Sequence, residues 1–457
     1  MNAKALVQVG SGNSRTSHHP YEACHLFLPT LSLLAGYVRI RFFLYLNRAT
    51  TGSSRLRLPM LFAASLPQRA VSLFSFSRLF LPQSHLMQGK VKFVNPRPER
   101  ADFFFVLRKR VNDYFEATNR SKYGDWRMYT KTLAMFAMFF VPYGLIMSNT
   151  LSPWEMLLCT VVMGFGVAGI GLSIMHDANH GAYSSNPTVN KLMGLSLNLV
   201  GACAYNWKIQ HNVMHHMYTN IHGLDEDIRD RPIIRLTPHA ERFWWHRFQH
   251  IYALIIYGLQ TIDWILTKDF TQLIDYYKAG VIKKRDLQRE LLTLSATKLL
   301  YVFYIVVLPL WLVDITWWQW LIGFVAMHYI TGFTLAVIFQ VAHVIEETAM
   351  PLPNEEGHID NLWAIHQMET TANFANDNKL LNWYVGGLNF QVEHHLFPRI
   401  CHVHYPAISK IVKETAEEYG VPYHQKKTLV GAVASHLRLL KRLGTTEARE
   451  LAGVHLH

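Results

Sequence analysis

At 457 residues the chain has room for two or three soluble domains, yet half of its residues are hydrophobic and only 17% are charged, a balance that excludes an ordinary soluble protein and marks a membrane one. The net charge of +12 does not argue for a nucleic-acid partner, because the first 86 residues hold nine Lys/Arg against the single acid Glu22 and supply +8 of it. Four cysteines, Cys24, Cys159, Cys203 and Cys401, form no Cys-x-x-Cys pair, which excludes a disulfide framework and a thiolate metal site.

Residues 1–86 are rich in Ser, Leu, Phe and Arg, with a short apolar patch at 26–38 that ends at Arg39 and Arg41. Transit peptides share this composition. Met87-Gln88-Gly89-Lys90 reads as an ordinary start, so the segment is taken first as a disordered or non-native extension and second as a targeting sequence. The folded part is expected at 87–430, followed by a basic C-terminal tail at 431–457. From 91 to 131 the sequence is polar and helical in pattern, with Arg108, Lys109, Arg110, Arg120, Lys122, Arg127 and Lys131, and reads as a lead-in lying on a membrane surface.

Two apolar stretches follow, 132–148 and 155–174; Pro142 in the first would kink a helix yet is tolerable in a packed bundle. A second pair lies at 299–313 and 320–341. The loops that join each pair, 149–154 and 314–319, contain no Lys or Arg, whereas the flanking polar segments are full of them. The positive-inside rule therefore places both loops outside and the rest in the cytoplasm. The stretches 132–148 and 299–313 fall short of the roughly 20 residues a span needs and are expected to be extended or tilted. Trp154, Trp317, Trp318 and Trp320 suit the outer interfacial belt. Within the polar segment 175–298, the half-apolar stretches 192–204 and 251–266 carry Asn, Gln and Asp and look interfacial. The expectation is an all-α membrane protein with four transmembrane helices in two hairpins.

Three histidine clusters fall on the cytoplasmic side of this arrangement: His176-Asp177-Ala178-Asn179-His180, His211-Asn212-Val213-Met214-His215-His216 and Gln391-Val392-Glu393-His394-His395. His176 and His180, at i,i+4, share one helix face and can grip one cation. His211 and His215 repeat that spacing, while His216 projects about 100 degrees away, free to reach a second metal. His394 and His395 diverge in the same manner. His343 ends the fourth span at the same face and joins the ligands. His328, fifteen residues earlier and about 22 Å along a helix, is too deep and reads as a core histidine. His222, His246, His250, His358, His366, His402 and His404 read as surface or supporting residues. Asp177 and Glu393 read as carboxylates that accept the distal N–H of ligating rings or form salt bridges. Nitrogen ligation without thiolates suits iron, copper or zinc. No His-Glu-x-x-His occurs, which removes the general base of a zinc protease and leaves redox iron as the preferred metal, since oxidation by O2 belongs to a metal centre and not to side chains.

At these residues the chain resembles the membrane fatty acid desaturases, whose boxes read roughly His-x(3–4)-His, His-x(2–3)-His-His and His/Gln-x-x-His-His. The stretch 387–398, with Gln391 in place of the first histidine, and the stretch 367–374 are similar to the front-end branch, and the resemblance spans about residues 95–425. It implies a four-span scaffold with a cytosolic helical cap and two irons held by His176, His180, His211, His215, His216, His343, Gln391, His394 and His395. The implied reaction is dehydrogenation of a fatty acyl chain, carried as acyl-CoA or membrane acyl-lipid, by O2 and two electrons. Some family members carry Asn four residues before the histidine that follows the last span; here the position is Phe339, and Gln340 beside it is the candidate substitute. The His-Pro-Gly-Gly of a fused cytochrome b5 is replaced by His19-Pro20-Tyr21-Glu22, so electrons are expected from a separate ferredoxin or cytochrome b5, as in a bacterial inner-membrane enzyme. A lipid hydroxylase or ketolase on the same scaffold is the alternative. A membrane zinc receptor or metal transporter is disfavoured because transporters place their ligands at mid-membrane.

A chain that starts at Met87 is expected to insert into the membrane and keep full activity. Membrane fractionation and product assay check this, and failure of the short form to insert would assign a role to residues 1–86.

Overall fold

Each of the four apolar runs is helical in the structure, a computed structural model that describes residues 91–446, all within one unit of the chain. The extension at 1–86 and the end of the tail at 447–457 lie outside the described residues. In chain order the helices are α1 (Phe103–Ala117), α2 (Trp126–Met147), α3 (Pro153–His180), α4 (Pro187–Gly194), α5 (204–218), α6 (249–278), α7 (Lys284–Leu312), α8 (Trp317–His343), α9 (Trp363–Thr370), α10 (Lys379–Tyr384), α11 (Gln391–Leu396), α12 (Tyr405–Glu418) and α13 (Leu429–Thr445). Two short parallel pairs qualify the all-α expectation, β1 (Lys92–Phe93) with β2 (His358–Ile359) and β3 (Ala372–Phe374) with β4 (His424–Lys426).

Helices α2, α3, α7 and α8 are long and apolar enough to cross a membrane. They are longer than the apolar runs because each continues into polar sequence once clear of the hydrocarbon; α3 carries the first histidine cluster on that continuation. A capping box formed by Ser152 and Glu155 starts α3, and one formed by Thr316 and Gln319 starts α8, which satisfies the free N–H groups where the short loops meet each span. The outward faces are apolar, with Leu133, Val141, Leu158, Leu299 and Ile322 exposed, as a lipid-facing surface requires.

Helix α3 lies between α2 and α8, and α6 packs along the other side of α8. The sequence reading of 251–266 as interfacial is corrected by that packing: α6 descends beside α8 as far as His328, where the Thr261 hydroxyl donates to the His328 carbonyl at 2.9 Å. Close approach is possible because Gly332 faces the backbone of α6; a Cβ there would stand 2.7 Å from the Gly258 carbonyl oxygen. His328 itself is a core residue as read, its Nε2 2.7 Å from the Tyr301 hydroxyl.

The lead-in also packs on the rest of the chain. Phe103, Leu107, Val111 and Phe115, at i,i+4 spacing, bury one stripe of α1 against α12 and the segments around α9 and α11. The tail expected from residue 431 is corrected as well: α13 buries Ala432, Ser435, His436, Leu439, Leu440 and Leu443, because its apolar residues recur with the helical period, and it packs on α6 and α8.

Gly332→Leu is expected to force α6 and α8 apart and to destabilise the protein by about 1–3 kcal/mol, the usual cost of overpacking. Thermal unfolding in detergent reads this as a lowered midpoint, against an unchanged midpoint for Leu133→Ile on the lipid face.

Candidate metal centre

The ends of α3 and α8, together with α5 and α11, bring the three clusters to one place. Two features of the backbone allow it. Both α3 and α5 are wound as π-helix beside their ligands, over Ile170–Met175 and Lys208–His215, a local widening common at functional sites. Gly386, in the left-handed region at φ +64, lets the chain entering α11 lie on α3, where a Cβ would stand 2.6 Å from the Leu172 carbonyl oxygen.

His176, His180, His211 and His394 present nitrogens that all lie within 4.8 Å of one another, and so do His215, His343 and His395. His216 stands between the groups, its Nε2 3.2 Å from that of His211 and 2.9 Å from that of His394, and it forms a third such set with His394 and His395. The His176 and His211 Nε2 atoms are 3.2 Å apart, as are those of His343 and His395. All eight rings are buried except His180, which is half-buried. His176 and His180 share one group as the i,i+4 spacing predicts. His211 and His215 do not: they fall chiefly into different groups, because α5 is π-wound across both and they are no longer one α-turn apart. Both also lie within 4.8 Å of Asp227.

The outward nitrogens show what the inward ones are for. His215 Nδ1 lies 3.1 Å from both oxygens of Asp225 and 3.4 Å from Asp227. His395 Nδ1 donates to the Gln367 side-chain oxygen at 2.8 Å and His343 Nδ1 to the Thr370 carbonyl at 3.2 Å, while His394 Nδ1 lies 3.2 Å from the Tyr405 hydroxyl. The carboxylate, amide oxygen and carbonyl place the proton of His215, His395 and His343 on Nδ1, so Nε2 turns inward. Burial, reinforced by the neighbouring rings, holds His211, His216, His394 and His395 well below the usual imidazole value. Burial opposes protonation of His215 too, but Asp225 and Asp227 outweigh it and raise this ring to about 9, making it the most basic donor outside the membrane-spanning helices. Along the run His176, His211, His216, His394 neutral lone pairs meet at hydrogen-bond distance, and the inward Nε2 of His180 and His215 has no hydrogen-bond partner. A cation is what such a set lacks, and its nitrogen-only character fits a borderline metal.

Several supporting residues differ from the sequence reading. Glu393 holds no imidazole: its oxygens accept from Asn373 Nδ2 at 2.8 Å and the Tyr423 hydroxyl at 2.9 Å, which ties α11 to β3, and burial pushes its carboxyl up to about 7. Asp177 lies 3.8 Å from His176 Nδ1 but bonds chiefly to His402, accepting from its backbone N–H and lying 2.8 Å from its Nδ1. His366 is buried, its Nε2 2.8 Å from the Thr219 carbonyl. Gln391 is buried at the first position of α11 and its amide nitrogen has no partner. Phe339 sets its ring against His176 and His211, at 6.4 and 6.0 Å between centroids, and Trp207 stacks on His211 at 4.4 Å, so two aromatic rings wall the first group. Asp225, Asp227, Gln367, Thr370 and Tyr405 were not identified from sequence. The signals were an Asp-x-Asp ten residues after His215, too common to single out, and the stretch 367–374, similar to the front-end branch but giving Gln367 and Thr370 no role.

With this geometry in view, comparison with known proteins is direct. A family model for fatty acid desaturases matches residues 151–427, more than half of the chain, and the chain belongs to that family of oxidoreductases. An sn-1 linoleoyl-lipid 6-desaturase of Arthrospira platensis is 38% identical over 339 residues, which cover 74% of this chain and 91% of the relative. A protein of that description from Synechocystis sp. is 36% identical over 363 residues, covering 79% and 99%. An acyl-lipid (8-3)-desaturase of Physcomitrium patens is 38% identical over 353 residues, covering 77% and 73%.

Asp225→Asn is expected to leave the protein in the membrane and to weaken metal binding about 10–100-fold, as loss of a ligand's hydrogen-bond partner does. Metal content of the purified variant, titrated against a chelator, measures this; wild-type retention would show that Asp225 only packs.

Proposed function

We propose that this chain is an O2-dependent di-iron desaturase that introduces a double bond into the acyl chain of a membrane lipid or acyl-CoA, on the carboxyl side of an existing double bond. The observation that supports it most is the convergence of the histidine Nε2 atoms, with the Nδ1 protons of His215, His343 and His395 tied outward to acceptors from other segments. His176, His180, His211 and His394 would hold one iron and His215, His343 and His395 the other, with His216 reaching between them and Gln391 contributing its amide to the set. When bound, the iron pair with O2 and two electrons supplies the oxidising power to convert –CH2–CH2– to –CH=CH–, two further protons being taken up and two waters formed.

The chain's own residues do the rest. Asp225 and Asp227 keep the His215 proton on Nδ1, Gln367 does so for His395, and the Thr370 carbonyl for His343. Phe339 and Trp207 exclude water on one side, which protects an oxidising centre from side reactions. The front-end assignment rests on Gln391 and on relatives described as linoleoyl-lipid 6- and acyl-lipid (8-3)-desaturases. We further propose that the four spans form two hairpins under a cytosolic cap, by the absence of Lys and Arg from both outer loops, and that electrons arrive from a separate ferredoxin or cytochrome b5.

Two measurements test this reading. Purified protein is expected to bind two irons per chain, and His176→Ala, His215→Ala and His395→Ala each to abolish product while leaving the protein in the membrane; substantial activity in all three would overturn the di-iron assignment. A host fed linoleate-type acids is expected to accumulate a product lighter by two hydrogens with the new bond on the carboxyl side. A product heavier by one oxygen would make the enzyme a hydroxylase, and desaturation of saturated chains alone would remove the front-end assignment.

A further inference from the structure

A second site lies at the membrane end of α2, away from the histidines. The loop before α2 is fixed at three points: Cys401 N–H donates to the Lys122 carbonyl at 2.9 Å, Gly124 N–H to the Tyr183 carbonyl at 3.1 Å, and His404 Nε2 lies 3.2 Å from the Tyr123 carbonyl. Between this loop and α2 is a cavity of about 370 Å³ lined by Arg120, Ser121, Tyr123, Trp126, His404 and the Asp125–Arg127 pair.

The charge in this cavity is uneven. Asp125 is used up, because the Arg127 guanidinium reaches both of its oxygens and the Arg127 backbone N–H donates to it as the cap of α2. The Arg120 side chain has no hydrogen-bond or ion partner among the described residues and is exposed, so it is the uncompensated charge. Two more polar groups stand by it. The Ser121 hydroxyl oxygen accepts from Tyr123 N–H, which leaves its proton to donate. His404 is 3% exposed and its Nδ1 has no partner. The guanidinium and the hydroxyl are the donors that an oxyanion of tetrahedral shape needs, while His404, whose Nε2 donates to the Tyr123 carbonyl, offers its Nδ1 as an acceptor.

The position selects the source of that anion. Trp126 and Tyr129, 70% and 52% exposed, occupy the first turn of a spanning helix, where aromatic side chains mark the headgroup layer. We propose that this cavity binds the phosphate of a membrane phospholipid, whose acyl chains then lie along α2. The inference depends on α2 crossing the bilayer and not on the reaction at the histidines, so a binding readout tests it independently of the proposed function.

The full-length protein, released from uncharged detergent and observed by native mass spectrometry, is to be offered phosphatidylglycerol, phosphatidylcholine and phosphate-free diacylglycerol. The wild type is expected to retain one phospholipid in preference to diacylglycerol. Arg120→Gln is expected to reduce that retention roughly fivefold, the effect of one cation near a lipid phosphate, while Lys109→Gln, an exposed cation on α1, leaves it unchanged. Equal retention by the Arg120 and Lys109 variants, or retention of diacylglycerol to the same extent, would overturn the proposal. Displacement of the lipid by inorganic phosphate or free coenzyme A would overturn its lipid assignment.

Discussion

The rest of the structure depends on a crowding of lone pairs. Eight imidazoles meet at one end of a helical bundle, and the contacts between Nε2 atoms are as short as 2.9 Å. A buried acceptor without a donor costs about 1–3 kcal/mol, so several at once would drive the rings apart unless a cation joins them and the scaffold fixes them beforehand. The scaffold does so from outside. Acceptors for the outer N–H groups of His215, His343 and His395 come from the loop after α5 and from α9, segments that contain no ligand themselves. Thr219 shows how tightly these are joined: its hydroxyl donates to the same Gln367 oxygen that receives His395 Nδ1. The cage is thus a second layer of acceptors, and the histidines are its inner face.

The membrane helices serve that cage by fixing two of its corners. Helices α3 and α8 end in His180 and His343, and they pack against each other along their length, so the separation of those corners is set inside the bilayer. Helix α6 then braces α8 from the opposite side through the Gly332 crossing. Polar pairs inside the bundle act in the same way: the Lys298 ammonium contacts Asp269 at 2.7 Å and also reaches the carbonyls of Gly201 and Trp264, which joins α7, α6 and the chain before α5 at one buried point. A charge in that place persists because each of its hydrogen bonds is taken.

Much of this was legible in the sequence, and the limits have physical causes. Hydropathy located the four spans because a helix in lipid must be apolar for most of its length, but it could not show where the helices end, since beyond the hydrocarbon polar residues continue the same hydrogen-bond ladder. Histidine spacing located the site, yet it placed His211 and His215 together on an α-helical period that the backbone does not follow. The acceptors were hidden for another reason. Asp225 and Gln367 are ordinary polar residues whose role depends on a partner ring elsewhere in the chain, and no local pattern records that. Glu393 sits between ligands in sequence and suggested a role in orienting them; on a short helix neighbouring residues point apart, so it faces β3 instead. The helix α13 was mistaken for a tail because its basic residues set its average, while its period of apolar residues was the informative feature.

The separation of His216 from His394, 178 positions along the chain, bears on how the protein is made. Both groups draw ligands from α11, so a nascent chain with all four spans already inserted still presents only open sets of nitrogens. On the proposed reading, metal capture would belong to the close of biosynthesis, after residue 395 has been added, and would work as a clasp between early and late parts of the polypeptide. Loop-closure entropy rises only slowly with length, so the clasp holds its distant ends at little more cost than a near pair. A chain that lacked this clasp would loosen in its polar layer first and leave the bilayer bundle standing.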